Sequence, residues 1–346
     1  MKRIIVYPVL ALIVVLFSIT TSCSSNDCEY VTIIDPCGTT NILNLSTGID
    51  ESGNVIAPGT GVIDPYWRLI NRPLFKQSTV SATDQQLVNT INGNAFLVDN
   101  NDSSNTTNWI NQENSSPICA LNAGTTQSFN AVTVRDNIDY TPYVFERSFC
   151  VKQPTNLIIN FTARGNLQVY FKLINNSTNI TYSTSQSATA NLMSWNETVN
   201  VLPGNYSIRA YLIYKGSTLP AFSLVGNIKT TDNSFVLSNN KNNCCANNVI
   251  NLMLIEDNSC DGFFDSNIDN VLSNNFTTVS LFDTSGNLIL TQQIEGFEDV
   301  FFAGLPDGTY TINLSTLPSA ASISPNNFQV TVSNNEVKNF NIFVCP

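Results

Sequence analysis

The sequence contains no histidine and little charge, since only 12% of its 346 residues are Asp, Glu, Lys or Arg. The absence of histidine excludes Ser–His–Asp and Cys–His catalysis, the HExxH zinc motif and any imidazole metal site. The charges that are present are unbalanced, with 15 basic against 26 acidic residues and a net charge of −11. Such a chain repels phosphate backbones, so we expect no nucleic-acid partner.

Long stretches of helical periodicity are also missing, whereas alternating apolar and polar residues recur between turn residues. Residues 156–162 and 167–174 show this alternation and flank Arg164-Gly165-Asn166, which predicts a hairpin. Further alternating segments lie at residues 206–214, 279–283, 288–290, 328–332 and 340–344. The sequence therefore predicts an all-β protein of many short strands.

One phrase occurs twice, as Leu202-Pro203-Gly204-Asn205-Tyr206 and as Leu305-Pro306-Asp307-Gly308-Thr309-Tyr310. Proline presets the turn, glycine permits positive φ, and tyrosine opens a strand with one buried face. Two copies about a hundred residues apart predict two β-sandwich modules, with the Asn-rich residues 231–248 as the linker between them.

The amino terminus has the order of a secretory signal, with basic residues first, an apolar run over residues 4–19, and small residues before Cys23. The run is short for a membrane span, which needs about 20 residues. The segment Thr20-Thr21-Ser22-Cys23 resembles the bacterial lipoprotein box, which implies that Cys23 is lipidated. Ser24-Ser25-Asn26-Asp27 resembles the export signals of Bacteroidota surface lipoproteins. Simple secretion and a membrane span are the alternatives.

Eight cysteines remain besides Cys23, and an even number in an exported protein predicts disulfides. They are Cys28, Cys37, Cys119, Cys150, Cys244, Cys245, Cys260 and Cys345. Each half of the chain carries four and allows three pairings, among which the sequence cannot choose. We favour Cys28–Cys37 and Cys119–Cys150, with the carboxy-terminal four paired among themselves. No CxxC occurs, so a thiolate zinc site is disfavoured.

Residues 257–265 place oxygen-bearing side chains at relative positions one, three, five and nine, with glycine at six. This spacing suits a loop folded around Ca²⁺. The loop, with the later Leu305-Pro306 phrase, resembles the B-type repeats of Gram-positive serine-aspartate adhesins, a transthyretin-like (prealbumin-like) Greek-key sandwich class. The resemblance covers residues 249–344 and implies a structural Ca²⁺ ligated by Asp257, Ser259, Asp261 and Asp265. The alternative is a polar turn without metal.

Ser46-Thr47-Gly48-Ile49-Asp50 and the later Asp64-Pro65-Tyr66-Trp67 resemble the opening of secreted galactose-binding-like jelly-roll modules. The resemblance covers about residues 39–230. If this module binds glycan, aromatic faces and amides should contact the sugar. The candidates are Tyr66, Trp67, Asn108, Trp109 and Trp195. The alternative is that these rings belong to the sandwich core.

These observations predict five segments: a signal peptide (1–22), a lipidated tether (23–38), a jelly-roll-like sandwich (39–230), a linker (231–248) and a prealbumin-like sandwich (249–346). The expected function is that of a non-enzymatic lipoprotein on the outer membrane, exposed at the cell surface, for binding or adhesion to glycan or to a surface protein. The alternative is an accessory subunit of an outer-membrane protein complex. A glycan hydrolase is disfavoured because the sequence lacks an E-x-D-x-x-E strand motif.

Overall fold

The computed structural model describes residues 38–59, 61–71, 93–98, 114–120, 143–165, 168–185, 192–213, 221–239, 245–262, 269–271, 278–293, 300–315, 322–324 and 327–345. Every regular element in these ranges is a β-strand, which confirms the all-β prediction. The described residues fall within one compact unit. None of them belongs to a helix of the length and apolarity that crossing a membrane requires.

The described residues of the amino-terminal sandwich form twelve strands in two sheets. Its strands are β1 (Ile42–Asn44), β2 (Trp67–Asn71), β3 (Phe96–Leu97), β4 (Ile118–Cys119), β5 (Tyr143–Val151), β6 (Thr155–Gly165), β7 (Gln168–Asn175), β8 (Ile180–Thr184), β9 (Met193–Val201), β10 (Gly204–Ile213), β11 (Ala221–Thr230) and β12 (Leu237–Asn239). The outer sheet has the order β3-β4-β11-β6-β9, with β1 also on β11. The inner sheet has the order β12-β5-β10-β7-β8, with β2 also on β5.

The other nine described strands form the carboxy-terminal sandwich. They are β13 (Asn248–Glu256), β14 (Asn270–Val271), β15 (Thr278–Phe282), β16 (Leu288–Gln293), β17 (Val300–Leu305), β18 (Gly308–Ser315), β19 (Ser322–Ser324), β20 (Asn327–Val332) and β21 (Val337–Cys345). Its inner sheet has the order β14-β13-β21-β19, with β17 also on β13, and its outer sheet has the order β16-β15-β18-β20. Among the described strands, only β13 and β21 pair in parallel.

The prediction that residues 156–162 and 167–174 form a hairpin is wrong. Strand β6 pairs with β9 and β11 of the outer sheet, whereas β7 pairs with β8 and β10 of the inner sheet. Phe161 and Phe171 meet across the core with ring centroids 5.0 Å apart. Both strands therefore bury their apolar face in the same core from opposite sides. Alternation predicts which face of a strand is buried, but not the sheet to which the strand belongs.

The repeated Leu-Pro phrase has the same structural role in both sandwiches. The Tyr206 hydroxyl donates to the carbonyl of Leu202 (2.9 Å), and the Tyr310 hydroxyl donates to the carbonyl of Pro306 (2.8 Å). Each tyrosine thus buries its ring at the start of a strand and ties its polar end to the turn four residues before it. This shared feature supports two sandwiches built on related turns.

The two sandwiches pack against each other through their inner sheets. Strand β5 is buried at all nine positions because alternate side chains enter the amino-terminal core and the surface between the sandwiches. Val144 of β5, Val249 of β13 and Phe301 of β17 belong to one buried cluster at that surface. We call this surface the junction. The segment expected to be a linker also contributes to the amino-terminal sandwich, since β12 pairs with β5.

Among the described glycines, Gly304 lies closest to the opposite sandwich. Its φ is +68°, and a Cβ built on it would lie 2.9 Å from the Cβ of Asn176 in the opposite sandwich. Asn176 is buried and fixed, since its side chain donates to the Ser207 hydroxyl (2.6 Å). The junction therefore has no room for a side chain at position 304.

We expect Gly304→Ala to destabilise the protein by about 2–4 kcal/mol, from the positive φ and from overpacking together. The matched control is Gly286→Ala, because Gly286 has a φ of +81° but no atom within 4 Å of the added Cβ. The control should lose only about 1–2 kcal/mol. Urea unfolding measures both, and equal losses would contradict the close approach at Gly304.

Candidate functional site

A buried ion-pair triad lies at the centre of the junction. Glu146 of β5 has Arg68 of β2 and Arg209 of β10 as its direct cross-strand partners, so the register places all three side chains on one face of the inner sheet. Arg68 Nη2 lies 2.6 Å from Glu146 Oε1, and Arg209 Nε lies 3.0 Å from Glu146 Oε2. Each carboxylate oxygen therefore has its own guanidinium.

The arginines of the triad also reach the carboxy-terminal sandwich. Arg68 donates to the side-chain oxygen of Asn247 (2.6 Å) and to the backbone carbonyl of Asn335 (3.2 Å). The Arg209 guanidinium lies 5.3 Å from the ring centroid of Phe301, a distance suited to a cation–π contact. The two sandwiches are thus held together by charged groups as well as by apolar packing.

The charges of the triad stabilise each other despite their burial. Burial alone would raise the pKa of Glu146, but the guanidiniums of Arg68 and Arg209 hold this pKa below its ordinary value. Burial would likewise lower the pKa of Arg209, whereas Glu146 raises it. Glu146 is therefore ionised beside its two cations, and removing its charge would leave two buried guanidiniums without a counter-charge.

A disulfide joins the sandwiches beside the triad. Cys150 of β5 is bonded to Cys245, with a Cα–Cα distance of 6.2 Å, and Cys260 is bonded to Cys345, with a Cα–Cα distance of 5.1 Å. The expected Cys119–Cys150 pairing is wrong because Cys150 faces the junction, whereas Cys119 lies inside the amino-terminal core. The prediction that the four carboxy-terminal cysteines pair only among themselves is also wrong, because Cys245 is bonded to Cys150. Cys28, Cys37 and Cys244 lie outside the described residues.

Tyr66 lies between two surface clefts, one on the amino-terminal sandwich and one at its border with the carboxy-terminal sandwich, and Asp64 positions it. The Asp64 carboxylate accepts from the backbone N–H groups of Gly48 (2.6 Å), Tyr66 (2.8 Å) and Trp67 (2.8 Å). Burial raises the pKa of Asp64, and these hydrogen bonds oppose that effect. The two phrases that resembled a jelly-roll opening are therefore tied together by one buried carboxylate, and Tyr66 is fixed where β2 begins.

Arg147 packs against Tyr66 and lines both clefts. Its guanidinium carbon lies 4.1 Å from the Tyr66 ring centroid, and Nη1 donates to the side chain of Asn239 (3.0 Å). The residue is only 3% exposed, and burial lowers its pKa to about 10, although Asp64 and Tyr66 oppose this shift. Among the described residues its buried Nε has no hydrogen-bond partner, and leaving such a donor unpaired costs about 1–3 kcal/mol of stability.

Two of the tryptophans that were candidates for ligand contact are core residues. Trp67 is 2% exposed, its indole N–H donates to the Leu45 carbonyl (2.9 Å), and its ring packs edge-on against Phe222. Trp195 is 5% exposed, and its indole N–H donates to Glu197 (2.8 Å). The reason is strand alternation, which turns both side chains inward. Asn108 and Trp109 lie outside the described residues.

The expected calcium loop is closed by its own hydrogen bonds. The carboxylate of Asp257 accepts from the Gly262 N–H (2.8 Å) and from the Ser259 hydroxyl (3.0 Å). Asp261 is exposed, and Asp265 lies outside the described residues. Within the described ranges, no three acidic, cysteine or histidine side chains are grouped so that they could hold a metal. The described members therefore do not form a metal site by themselves, and the calcium hypothesis stays a prediction.

The triad was not predicted, although the sequence carries a signal for it. Glu146 and Arg147 interrupt an otherwise apolar strand, and Arg68 interrupts another. A charge at such a position needs a buried partner, but the sequence does not show which sheet supplies it.

No family model and no curated protein matches the sequence. Among solved structures, the chain is similar to the minor pilin GBS52 of Streptococcus agalactiae, with 12% identity, 56% of this chain and 83% of that chain covered, and a TM-score of 0.23. A shaft pilin of Lactobacillus rhamnosus gives 10% identity, 52% and 88% coverage, and a TM-score of 0.22. A β-glucuronidase of Ruminococcus gnavus gives 7% identity, 85% and 45% coverage, and a TM-score of 0.21. Likenesses at these scores are too loose to transfer a function.

We expect Glu146→Gln to destabilise the protein by about 3–5 kcal/mol at pH 7, because two buried guanidiniums lose their counter-charge. The matched control is Glu336→Gln, which removes an exposed ion pair with Lys338 and should cost about 0–1 kcal/mol. Urea unfolding of both variants against wild type measures the difference. Similar losses in the two variants would contradict the role of the triad.

The loss caused by Glu146→Gln should depend on pH. The pKa of Glu146 is lowered in the folded protein, so its stabilising contribution is complete above its ordinary value of 4.5 and is lost as the pH falls through the folded pKa. The difference between wild type and variant should therefore be constant near neutrality and shrink in acid. A difference that grows as the pH falls would overturn this assignment.

We expect Asp257→Ala to lower the melting temperature equally in calcium and in EDTA, because the carboxylate closes its loop by hydrogen bonds. The calcium hypothesis makes the opposite prediction. It requires EDTA to lower the melting temperature of the wild type and Asp261→Ala to abolish that response. Thermal unfolding of the three proteins with and without chelator decides between the two.

Proposed function

We propose that this chain is a non-enzymatic cell-surface protein for binding or adhesion, anchored in the outer membrane through lipid on Cys23 and directed at glycan. The observation that carries the proposal is the junction, where a disulfide and a buried ion-pair triad join two sandwiches. A protein that only recognises a ligand needs a single sandwich. A protein that also carries tension between an anchor and a ligand needs modules that cannot be pulled apart.

The positions of the disulfides support a load-bearing role. Cys150–Cys245 closes a loop with a sequence separation of 95, and Cys260–Cys345 closes one with a separation of 85. Chain inside a bonded loop cannot extend when the ends of the protein are pulled, because the force passes through the covalent bond. These loops contain β6–β12 and β14–β20, which are most of both sandwiches. Each loop withholds roughly 300 Å of extension, at about 3.3–3.6 Å per residue.

The anchor and the ligand form the remaining parts of the proposal. Lipid at the amino terminus would fix one end of the chain, and a lipoprotein carries the several acyl chains that firm anchoring needs. Glycan suits a protein whose surface is rich in Asn, Ser and Thr and poor in charge. An accessory subunit of a membrane complex would instead bind a protein partner, and the experiment below separates the two.

The test uses bacteria that display the chain on their surface. It measures how well they are retained on a glycan-coated surface under flow. We expect Cys150→Ser/Cys245→Ser to detach at clearly lower shear than wild type, because the junction then opens under load. Single-molecule stretching should show about 300 Å of added extension for the same variant.

Cys23→Ser is the control for the anchor, and it should move the protein to the soluble fraction and abolish retention. The adhesion proposal would be rejected in favour of the accessory-subunit role by two results together. These are wild-type bacteria that bind no glycan-coated surface and co-purification of the chain with a membrane protein. Unchanged shear resistance in the double variant would reject the load-bearing role of the junction.

A further inference from the structure

We infer that the two clefts flanking Tyr66 form one binding groove for a neutral saccharide that lies across the tyrosine ring. This inference rests on the proposed function and assigns its ligand to one site at the border of the sandwiches, where Asn247 and Asn335 complete the second cleft and opening of the junction would disrupt it. We call this site the Tyr66 groove. Tyr66 and Arg147 line both clefts, so a ligand that occupies either cleft meets the same two side chains.

The lining of the Tyr66 groove suits hydroxyl groups. The first cleft is lined by Asn44, Asp50, Glu51 and Asn239, and the second by Asn94, Asn247 and Asn335. A side-chain amide both donates and accepts, and a carboxylate accepts, so together they match sugar hydroxyls, which do both. Such polar groups beside an aromatic ring are the usual composition of a site that fixes a small polar ligand.

Tyr66 supplies an aromatic surface that is held in place. It is half-buried, its backbone N–H is bonded to Asp64 (2.8 Å), and one side of its ring is covered by the Arg147 guanidinium at 4.1 Å. The ring therefore loses little freedom when a ligand packs on the part that remains exposed, which reduces the entropic cost of binding. The C–H groups of a pyranose are the natural partner of such a surface.

Arg147 holds part of the polar lining of the first cleft in place. Its Nη1 and Nη2 donate to Asn239 (3.0 Å) and to the Asn44 carbonyl (3.4 Å), and both of these acceptor residues line that cleft. The buried Nε has no acceptor among the described residues, but it has no accessible surface, so a ligand contacts the groups that Arg147 positions and not Nε itself. A neutral ligand with hydroxyl groups adds no charge beside Asp50 and Glu51. An anionic ligand would meet these two carboxylates and be repelled.

The size of the Tyr66 groove limits the ligand. The clefts have volumes of about 350 and 340 Å³. These values lie near the lower end of the ~300–1,000 Å³ range of ligand pockets. Each cleft suits a single sugar unit, and two clefts that share one tyrosine suit a disaccharide or a short segment of a longer glycan.

The probes are lactose, N-acetyllactosamine, cellobiose, maltose and mannobiose, each at millimolar concentration with the chain lacking its signal peptide. Saturation-transfer NMR should detect binding of at least one disaccharide, and titration should give its affinity. We expect Tyr66→Ala to weaken that affinity at least tenfold. Glu51→Ala, at an exposed position, should weaken it without lowering the melting temperature.

The matched control is Phe235→Ala, which removes an aromatic ring that is 66% exposed and lines neither cleft. It should leave binding unchanged. If no disaccharide binds the wild type, or if Tyr66→Ala and Glu51→Ala both bind as the wild type does, the groove is not the site. Shear-resistant retention that persists in Tyr66→Ala would leave the proposed function standing and overturn only this inference.

Discussion

The burial of Glu146 is the constraint on which the arrangement of the two sandwiches depends. A carboxylate with no access to water is stable only beside cations, and the strand register supplies Arg68 and Arg209 as its direct neighbours. Arg68 in turn finds its remaining acceptors at Asn247 and Asn335 of the carboxy-terminal sandwich. Separating the sandwiches would break these hydrogen bonds and expose the apolar cluster of the junction to water, so the junction is specific as well as tight.

Three other features of the molecule follow from this constraint. Strands β5 and β17 are buried at every position and β13 at all but its last, because the outer face of each inner sheet is covered by the other sandwich. Gly304 is required where the covering surfaces come closest. Cys150 lies on the same face of β5 as Glu146, so it can bond to Cys245 at the entrance to β13. Packing, charge and covalent bond thus act on one surface.

Sequence patterns predicted what depends on local alternation and missed what depends on pairing between distant segments. The hairpin β15–β16 was readable because Asp283 and Gly286 form its turn within a few residues. The β6–β7 connection carried equally good turn residues but crosses between sheets. The partner of Cys150 was not predictable, because only knowledge that a second sandwich covers β5 would place Cys245 beside it. Glu146 was visible as a charge in an apolar strand, but its partners were not.

The same reasoning explains why Tyr66, and not a tryptophan, marks the candidate binding groove. Trp67 and Trp195 occupy inward positions of regular strands, where a large ring adds most to the core. Tyr66 precedes the first residue of β2, where Asp64 sets the backbone and alternation does not yet turn the side chain inward. Arg147 is the cross-strand neighbour of Trp67, and its guanidinium covers one side of the Tyr66 ring. Its Nη1 and Nη2 donate to Asn239 and to the Asn44 carbonyl, which line the first cleft, whereas Arg68 and Arg209 are directed at Glu146 inside the junction. One arginine thus positions residues that line an open cleft, while the other two close the surface between the sandwiches, so the candidate groove lies at Tyr66 and not at the triad.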